Sequence, residues 1–307
     1  MLASLKTLVS EIVDYAGLFP PAKLDLRSSM QRYAQSAATP DRWMLSRFVL
    51  PAARPEELYA IVPKLPLSQW SLSLVVKNLE EVEQAFALQT DRLTLKNASP
   101  SVKIAALEFT PRSASEISAL INQLPPDLDA FFEIPLDSSF TDSIAVLQGT
   151  AASAKVRTGG LTEAAFPISK QLAGWICACA QANVPFKATA GLHHPFPGMY
   201  RLTYEPDSPT ARMHGFVNVA VAAAFAYSQA IDQEEVIQLL EINSFSDALS
   251  DALQFEDDKL IWNNDRGKRQ LDLSEIQKSR QRFFRSFGSC SFQEPIDDLK
   301  KLNLIAS

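Results

Sequence analysis

The chain has 307 residues, 47% hydrophobic and 21% charged, a composition that argues against disordered, collagen-like and coiled-coil proteins. A formal net charge of −6 at pH 7 argues against broad binding to nucleic acid or to an anionic membrane. The three cysteines lack the spacing of a metal motif and fit a reducing cytoplasm, where we expect the protein to reside. The longest apolar run, residues 216–227, is too short to span a bilayer.

Short apolar segments rich in β-forming residues alternate with helical patterns along the chain. Six β–α units are predicted in order, with strands at Arg47–Leu50, Ser71–Lys77, Ile104–Thr110, Ala130–Leu136, Ala154–Thr158 and Phe186–Ala190. Leu260–Trp262 is the candidate for a seventh strand and Phe287–Phe292 for an eighth. Strands that alternate with helices pair in parallel, and eight such units close into a barrel. The sequence therefore predicts an α/β fold, a TIM-type (βα)8 barrel.

No low-complexity linker divides the chain, so we expect residues 1–307 to form a single barrel domain. Residues 1–40 are expected to be an N-terminal helical extension, whose loop DYAGLFPPAKLD lies across one end of the barrel. If that end is the mouth, Asp14 is a site residue.

An open doubly wound sheet is the main alternative to the barrel, but no G-x-G-x-x-G follows the first predicted strand. The long loop Leu192–Gly215 after the sixth predicted strand is a candidate lid.

Several predicted strands carry charged residues at or near their C-terminal ends, at intervals of about one β–α unit. The residues are Arg47, Lys77, Glu108, Glu133, Lys155, Arg157 and Lys187. In a barrel these strand ends meet at one mouth, where the catalytic residues of this fold normally lie. Buried charges are costly unless they are paired or functional. The pattern therefore predicts either an active site or a salt-bridge layer that fills the barrel.

Two glycines, Gly159 and Gly160, directly follow the predicted strand that carries Lys155 and Arg157. Two cations that lead into a glycine loop and a helix N-terminus can hold a carboxylate or a phosphate. Cys290 would end the eighth strand just before the last helix, where a helix N-terminus lowers the pKa of a thiol and the amides could bind phosphate. Simple packing at a strand end is the alternative for Cys290. We expect a small anionic metabolite as the partner, and the sequence leaves a homo-oligomer open.

Lys187 lies inside an apolar predicted strand, the sixth by this count. Burial and neighbouring cations each lower the pKa of a lysine, which would make its amine a nucleophile toward carbonyls. The pattern Lys187-x-Thr189-x-Gly191 resembles the Lys-x-Ser/Thr-x-Gly of deoxyribose-phosphate aldolases. In those enzymes the lysine forms a Schiff base on the sixth strand and a second lysine lies on the next strand. The resemblance implies a class I aldolase-like lyase; a non-covalent anion clamp at Lys187 stays open.

A second resemblance spans nearly the full chain. The segments DYAGLFPPA, VRTGG, FKATAGLHHP and FGSCSF are similar to motifs of a bacterial (βα)8-barrel family to which no activity is assigned. This resemblance implies a barrel and marks the motifs as features of interest, and it leaves the reaction open.

Glu133 is the predicted acid/base, and His193 or His194 is expected to assist it. The sequence thus predicts a lyase that acts on a small anionic carbonyl compound, without a metal or another cofactor. Two alternatives stay open. One is a metal-dependent lyase or hydrolase with Glu133, His193 and His194 as ligands. The other is a barrel that binds an anionic ligand without turnover.

Overall fold

The computed structural model describes residues 1–93, 100–111, 113–125, 128–228, 231–242 and 252–306. Its centre is a closed barrel of parallel strands in the spatial order β1, β13, β7, β6, β5, β4, β3, β2. In chain order these strands are β1 (Val13–Tyr15), β2 (Leu45–Pro51), β3 (Gln69–Val76), β4 (Ser101–Phe109), β5 (Asp129–Glu133), β6 (Ser153–Arg157), β7 (Phe186–Thr189) and β13 (Phe284–Ser289). The predicted (βα)8 barrel is confirmed.

Helices occupy most of the connections between strands. They are α1 (Ala3–Val9), α2 (Leu26–Ala37), α3 (Pro55–Ile61), α4 (Leu79–Leu93), α5 (Ala114–Ile121), α6 (Phe140–Leu147), α7 (Ser169–Gln181), α8 (Phe216–Tyr227), α9 (Gln233–Glu241), α10 (Leu273–Arg282) and α11 (Gln293–Lys301). The side chains of Asp25, Ser113, Asp232 and Asp272 cap the N-termini of α2, α5, α9 and α10 by accepting a backbone N–H bond. Within the described ranges, no helix combines the length and the apolar character needed to cross a bilayer.

The first barrel strand, β1, lies inside the segment that was predicted to be a helical extension. Val13 pairs with Leu45 of β2 and with Phe287 of β13, so β1 closes the barrel. Residues 1–40 do contain α1 and α2, but the expectation that they lie wholly outside the barrel is wrong. A strand of three residues is too short to show an alternating pattern. The first six predicted strands therefore each move up by one, and the strand of Lys187 is the seventh.

The segment Leu260–Trp262, predicted as a barrel strand, lies outside the barrel. It belongs to β11 (Lys259–Asn264), the middle strand of an antiparallel sheet with β10 (Leu253–Phe255) and β12 (Gly267–Asp272). Burial of this short strand against the helices explains its apolar sequence, which does not distinguish a barrel strand from a hairpin strand. The predicted eighth strand overlaps β13, which is the last strand of the barrel in chain order.

The long connection between β7 and α8, for which the sequence predicts a loop, contains a β-hairpin. Its strands are β8 (Gly198–Arg201) and β9 (Thr210–Met213). The hairpin forms a small apolar cluster in which Leu202 and Met213 pack with Phe166 of the β6–α7 loop and with Tyr200. This packing holds the hairpin over the end of the barrel at which β6 and β7 terminate.

Candidate active site

A cavity of about 680 Å³ opens at the C-terminal end of the barrel strands. Most of the predicted site residues line it, and these are Glu108, Glu133, Lys155, Arg157, Gly160, Lys187, His193, His194 and Cys290. They come from β4, β5, β6 and β7 and from the segments that follow β6, β7 and β13. The charged residues near the ends of these strands therefore lie together at one mouth of the barrel.

The floor of the cavity holds a chain of side chains with alternating charge, which we call the charged network. Its members in order are Asp14, Lys187, Glu108, Lys155, Glu133 and Arg157. Lys187 Nζ lies 2.5 Å from Asp14 Oδ2 and 2.8 Å from Glu108 Oε1. Lys155 Nζ lies 3.1 Å from Glu108 Oε2 and 2.9 Å from Glu133 Oε2. Glu108 thus joins the two lysines, and Asp14 is a member of the cluster.

Each of the two lysines retains hydrogen-bonding capacity toward the cavity. A lysine ammonium has three N–H donors. Within the part of the chain that the structure describes, Lys187 uses two on Asp14 and Glu108, and Lys155 uses two on Glu108 and Glu133. Because both side chains line the cavity, one donor on each ammonium is available to a bound molecule.

The pKa of Lys187 is raised, which reverses the direction expected from its sequence. Burial of the side chain alone would lower the pKa. The carboxylates of Asp14 and Glu108 outweigh this effect, so Lys187 is held as an ammonium ion. The expectation of a neutral amine was wrong because it counted the neighbouring cations and not the carboxylates of β1 and β4.

The three carboxylates of the charged network are held in their ionised form. Burial opposes ionisation, but the neighbouring cations lower the pKa of Asp14, Glu108 and Glu133 below the usual values. Hydroxyl donors add to this: Ser286 Oγ donates to Asp14 at 2.7 Å, and Ser73 Oγ donates to Glu108 at 2.7 Å. Glu133 is the most exposed of the three, with a side chain that is 15% accessible.

His193 and His194 lie on the cavity wall, and their acidic neighbours are Glu294 and Asp298 and not Glu133. His194 Nδ1 lies 2.6 Å from Asp298 Oδ2, and its ring stacks on Tyr200 at 3.5 Å between centroids. His193 Nδ1 lies 3.1 Å from Ser289 Oγ and 3.4 Å from Glu294 Oε2. Burial lowers the pKa of His193 to about 4, so its imidazole is neutral near pH 7.

The structure does not bring Glu133 and the two histidines together as metal ligands. Both oxygens of Glu133 are engaged by cations, at 2.9 Å by Lys155 and at 3.1 Å by Arg157. Among the residues that the structure describes, no group of three or more His, Cys, Asp and Glu side chains is arranged to hold a metal ion. We therefore derive no step through the predicted Glu133–His193–His194 ligand set.

Gly159 has a packing role and does not line the cavity. A Cβ atom at this position would lie 2.8 Å from Gly191 Cα and 2.5 Å from the ring of Phe166. Its neighbour Gly160 does line the cavity. The expected helix N-terminus next to these glycines is absent, because α7 begins only at Ser169. Of the predicted anion cradle, the structure brings together Lys155, Arg157 and Gly160.

Arg47 lies at the opposite end of the barrel from the cavity mouth. Its guanidinium binds Asp129, the first residue of β5, at 2.5 Å and lies 3.8 Å from Asp14, a member of the charged network. It lines a separate cavity near the N-terminal ends of the strands, together with Lys103 and Glu11. The expected position at the mouth is wrong because Arg47 is the third of seven residues in β2, too early in the strand to reach it.

Cys290 lines the cavity next to two residues that are not among the predicted site residues. Its Sγ lies 3.4 Å from the hydroxyl of Tyr204, which lies 3.4 Å from Glu294 Oε2. Burial raises the pKa of Cys290, so the thiol stays protonated and the expected lowering by a helix N-terminus is wrong. Tyr204 follows the hairpin strand β8 and Glu294 lies on α11, so only the tertiary fold brings them to Cys290.

Comparison with known proteins adds no family to this description. No protein-family model, no curated protein and no solved structure matches the chain. The interpretation of the site depends on its own residues and geometry.

Proposed function

We propose that the protein is an aldolase-type lyase that cleaves a carbon–carbon bond in a small anionic carbonyl compound at the mouth of the barrel. The observation that carries this proposal is the pair of lysines that share Glu108. Lys155 lies on the sixth barrel strand and Lys187 on the seventh. An amine on the sixth strand with a second lysine on the next strand is the arrangement that the aldolase resemblance implies. By strand position this arrangement places the imine on Lys155, whereas the Lys-x-Thr-x-Gly pattern itself marks Lys187.

The surroundings of the two lysines support different roles for them. Lys187 is 1% exposed and is bound by two buried carboxylates, so it serves as a permanent cation. A fixed ammonium of this kind stabilises negative charge that develops on a carbonyl oxygen. Lys155 is next to the more accessible Glu133, which is ionised and can accept a proton from the amine. We therefore propose Lys155 as the nucleophile.

The proposed reaction balances with groups that the cavity contains. Glu133 takes one proton from the Lys155 ammonium, and the lone pair that this frees on Nζ attacks the carbonyl carbon. Glu133 passes this proton to the carbonyl oxygen, and then passes on a second proton from the nitrogen, so that the oxygen leaves as water and an iminium group remains. The β-hydroxyl group then loses its proton and becomes the carbonyl group of the first product, which breaks the carbon–carbon bond. The electron pair of the broken bond moves into the iminium group and gives an enamine. Glu133 or the neutral His193 carries these protons. Reprotonation of the enamine and hydrolysis release the second product.

Two arginines that line the cavity can bind an anionic group of the substrate. Arg157 ends β6, and its side chain is 54% exposed, with Glu133 as its ion-pair partner. Arg201 ends β8 and also lines the cavity. A guanidinium binds a carboxylate or phosphate through two parallel N–H donors, which orients the molecule. These arginines support an acid group as part of the substrate.

The proposal is tested by incubating the purified chain with β-hydroxy carbonyl compounds that carry a carboxylate or a phosphate. Proton NMR follows the appearance of the two cleavage products. We expect cleavage of at least one compound, and we expect Lys155→Arg to abolish it, because a guanidinium forms no imine. Lys301→Arg, a change at an exposed helix end, is the matched control and keeps full activity. Binding of such compounds without cleavage of any would favour the non-catalytic barrel instead.

A further inference from the structure

The cavity is larger than a carbonyl group and an acid group require. Its volume of about 680 Å³ is that of roughly twenty water molecules at about 30 Å³ each. The charged network occupies the floor, at the ends of the barrel strands. The cavity continues outward between the segments that follow these strands. A three-carbon or four-carbon acid bound at the floor would leave this outer part filled with water.

The outer part of the cavity is lined mainly by apolar and aromatic side chains from three segments. They are Phe19, Pro20 and Pro21 after β1, Leu161 and Phe166 after β6, and Tyr200, Leu202, Tyr204 and Met213 of the hairpin region. The polar lining residues of the hairpin region are Arg201 and Thr203. A concave apolar surface with a few polar groups at one end is typical of a site for a ligand that is itself apolar at one end.

Exposed apolar side chains concentrate around the same opening. In the described part of the chain, the large hydrophobic residues that remain exposed are Met1, Leu2, Leu161, Ile168, Met199 and Tyr204. Apart from the two at the chain start, all lie on the β6–α7 segment or the hairpin region. Leu161 is 45% exposed and Tyr204 is 56% exposed, and both line the cavity. A bound apolar group would remove this surface from water.

We propose that the substrate is an anionic carbonyl compound that carries an aromatic or bulky aliphatic group. This group lies against Leu161, Phe166 and Tyr200, while the carbonyl carbon reaches the lysines of the charged network. The inference rests on the proposed function for the position of the carbonyl group. It adds the substrate class, because the apolar walls favour compounds with a large hydrophobic substituent over short acids.

The test is isothermal titration calorimetry of the full chain with 2-oxo-4-phenylbutanoate and with 2-oxobutanoate. The two probes share the acid and the carbonyl group and differ only in the phenyl ring. We expect the phenyl compound to bind at least tenfold more tightly. We expect Leu161→Asp to remove most of this preference, because it places a charge in the apolar wall.

Ile168→Asp is the matched control, since Ile168 lies on the same segment, is 64% exposed and does not line the cavity. It should keep the preference for the phenyl compound. Equal affinities for the two probes, no binding of the phenyl compound, or equal losses in both variants would overturn the inference. Because calorimetry reads binding, a phenyl preference without any cleavage would contradict the proposed function alone. Cleavage of short substrates without a phenyl preference would contradict this inference alone.

Discussion

Lys155 and Lys187 are direct cross-strand partners on β6 and β7, and their ammonium groups bind opposite oxygens of one carboxylate, that of Glu108. Because neighbouring strands lie about 4.8 Å apart, a carbonyl group that contacts one amine is within reach of the other. The carboxylates around the pair are unequal, since Asp14 is fully buried and Glu133 is partly accessible. This inequality is the reason for the different roles that we propose.

Lys187→Met should destabilise the protein strongly. It leaves Asp14 and Glu108 buried without the cation that both bind, and loss of one partner of a buried pair costs about 3–5 kcal/mol. The free energy of unfolding from urea titration measures the effect. Lys301→Met is the control, because its ion pair with Asp298 is exposed and its loss should change stability little. Equal effects of the two substitutions would show that the charged network does not depend on Lys187.

Glu133→Gln should reduce the rate of carbon–carbon cleavage by about 10²–10⁴-fold, the usual contribution of a general acid or base. Glutamine keeps the shape and one acceptor oxygen, so the change removes the proton acceptor and one of the two contacts with Lys155 and Arg157. The measurement is kcat with the substrate found by NMR. Glu57→Gln, in an exposed pair with Arg54, is the control. An unchanged kcat would remove Glu133 from the proposed mechanism.

The protonation of His193 should make stability depend on pH between about 6.5 and 4. Burial lowers its pKa in the folded state from 6.5 to about 4, so in this range the unfolded chain binds the proton and the folded chain does not. Stability therefore falls as the pH falls, by about 3 kcal/mol at most at 1.36 kcal/mol per pKa unit.

The variant His193→Gln removes this contribution and keeps that of His214. Burial also lowers the pKa of His214. We expect the free energy of unfolding of the variant to fall less than that of the wild type between pH 6.5 and 4. Parallel pH profiles for the two proteins would mean that the pKa of His193 is the same in the folded and the unfolded state, which would contradict its lowering by burial.

Gly159→Ala should destabilise the protein, although the residue does not line the cavity. The new methyl group would lie 2.8 Å from Gly191 Cα and 2.5 Å from the ring of Phe166, where backbone atoms cannot yield easily. Overpacking of this kind costs about 1–3 kcal/mol. Gly174→Ala is the matched control in α7, where the nearest atom belongs to the flexible end of Gln233 at 3.3 Å. We expect it to be neutral or stabilising, since alanine favours a helix.

Thermal unfolding of Gly159→Ala and Gly174→Ala compares the two positions directly. A lower melting temperature for the Gly159 variant alone would support close packing of the segments after β6 and β7. If both variants unfolded at the temperature of the wild type, the close approach of Gly159 and Gly191 would be incorrect.

The barrel and most of the cavity residues could be predicted from the sequence because their signals are local. Charges stand near the C-terminal ends of β4, β5 and β6. Parallel pairing brings the charged residues of neighbouring strands together, as with Glu133, Lys155 and Lys187 in register on β5, β6 and β7. The spacing of charges along the chain contains this information. Arg47 did not follow the rule because its strand continues for four residues beyond it.

Other features depend on contacts that no local pattern records. The strand β1 has only three residues, so its place in the barrel follows from pairing with β2 and β13. The raised pKa of Lys187 depends on Asp14, which is far away in the sequence. The contact of Tyr204 with Glu294 likewise joins the hairpin region to α11. These contacts determine which lysine is a fixed cation and which residues form the wall of the cavity.

The most direct test of the account is borohydride reduction of the protein in the presence of a carbonyl compound that it cleaves, followed by peptide mass mapping. Reduction converts an imine into a stable secondary amine and so records which lysine formed it. We predict a single adduct on Lys155, absent in Lys155→Arg, with Lys187 unmodified. An adduct on Lys187 would contradict the proposed roles of the two lysines. Cleavage without an adduct on either lysine would contradict the imine mechanism itself.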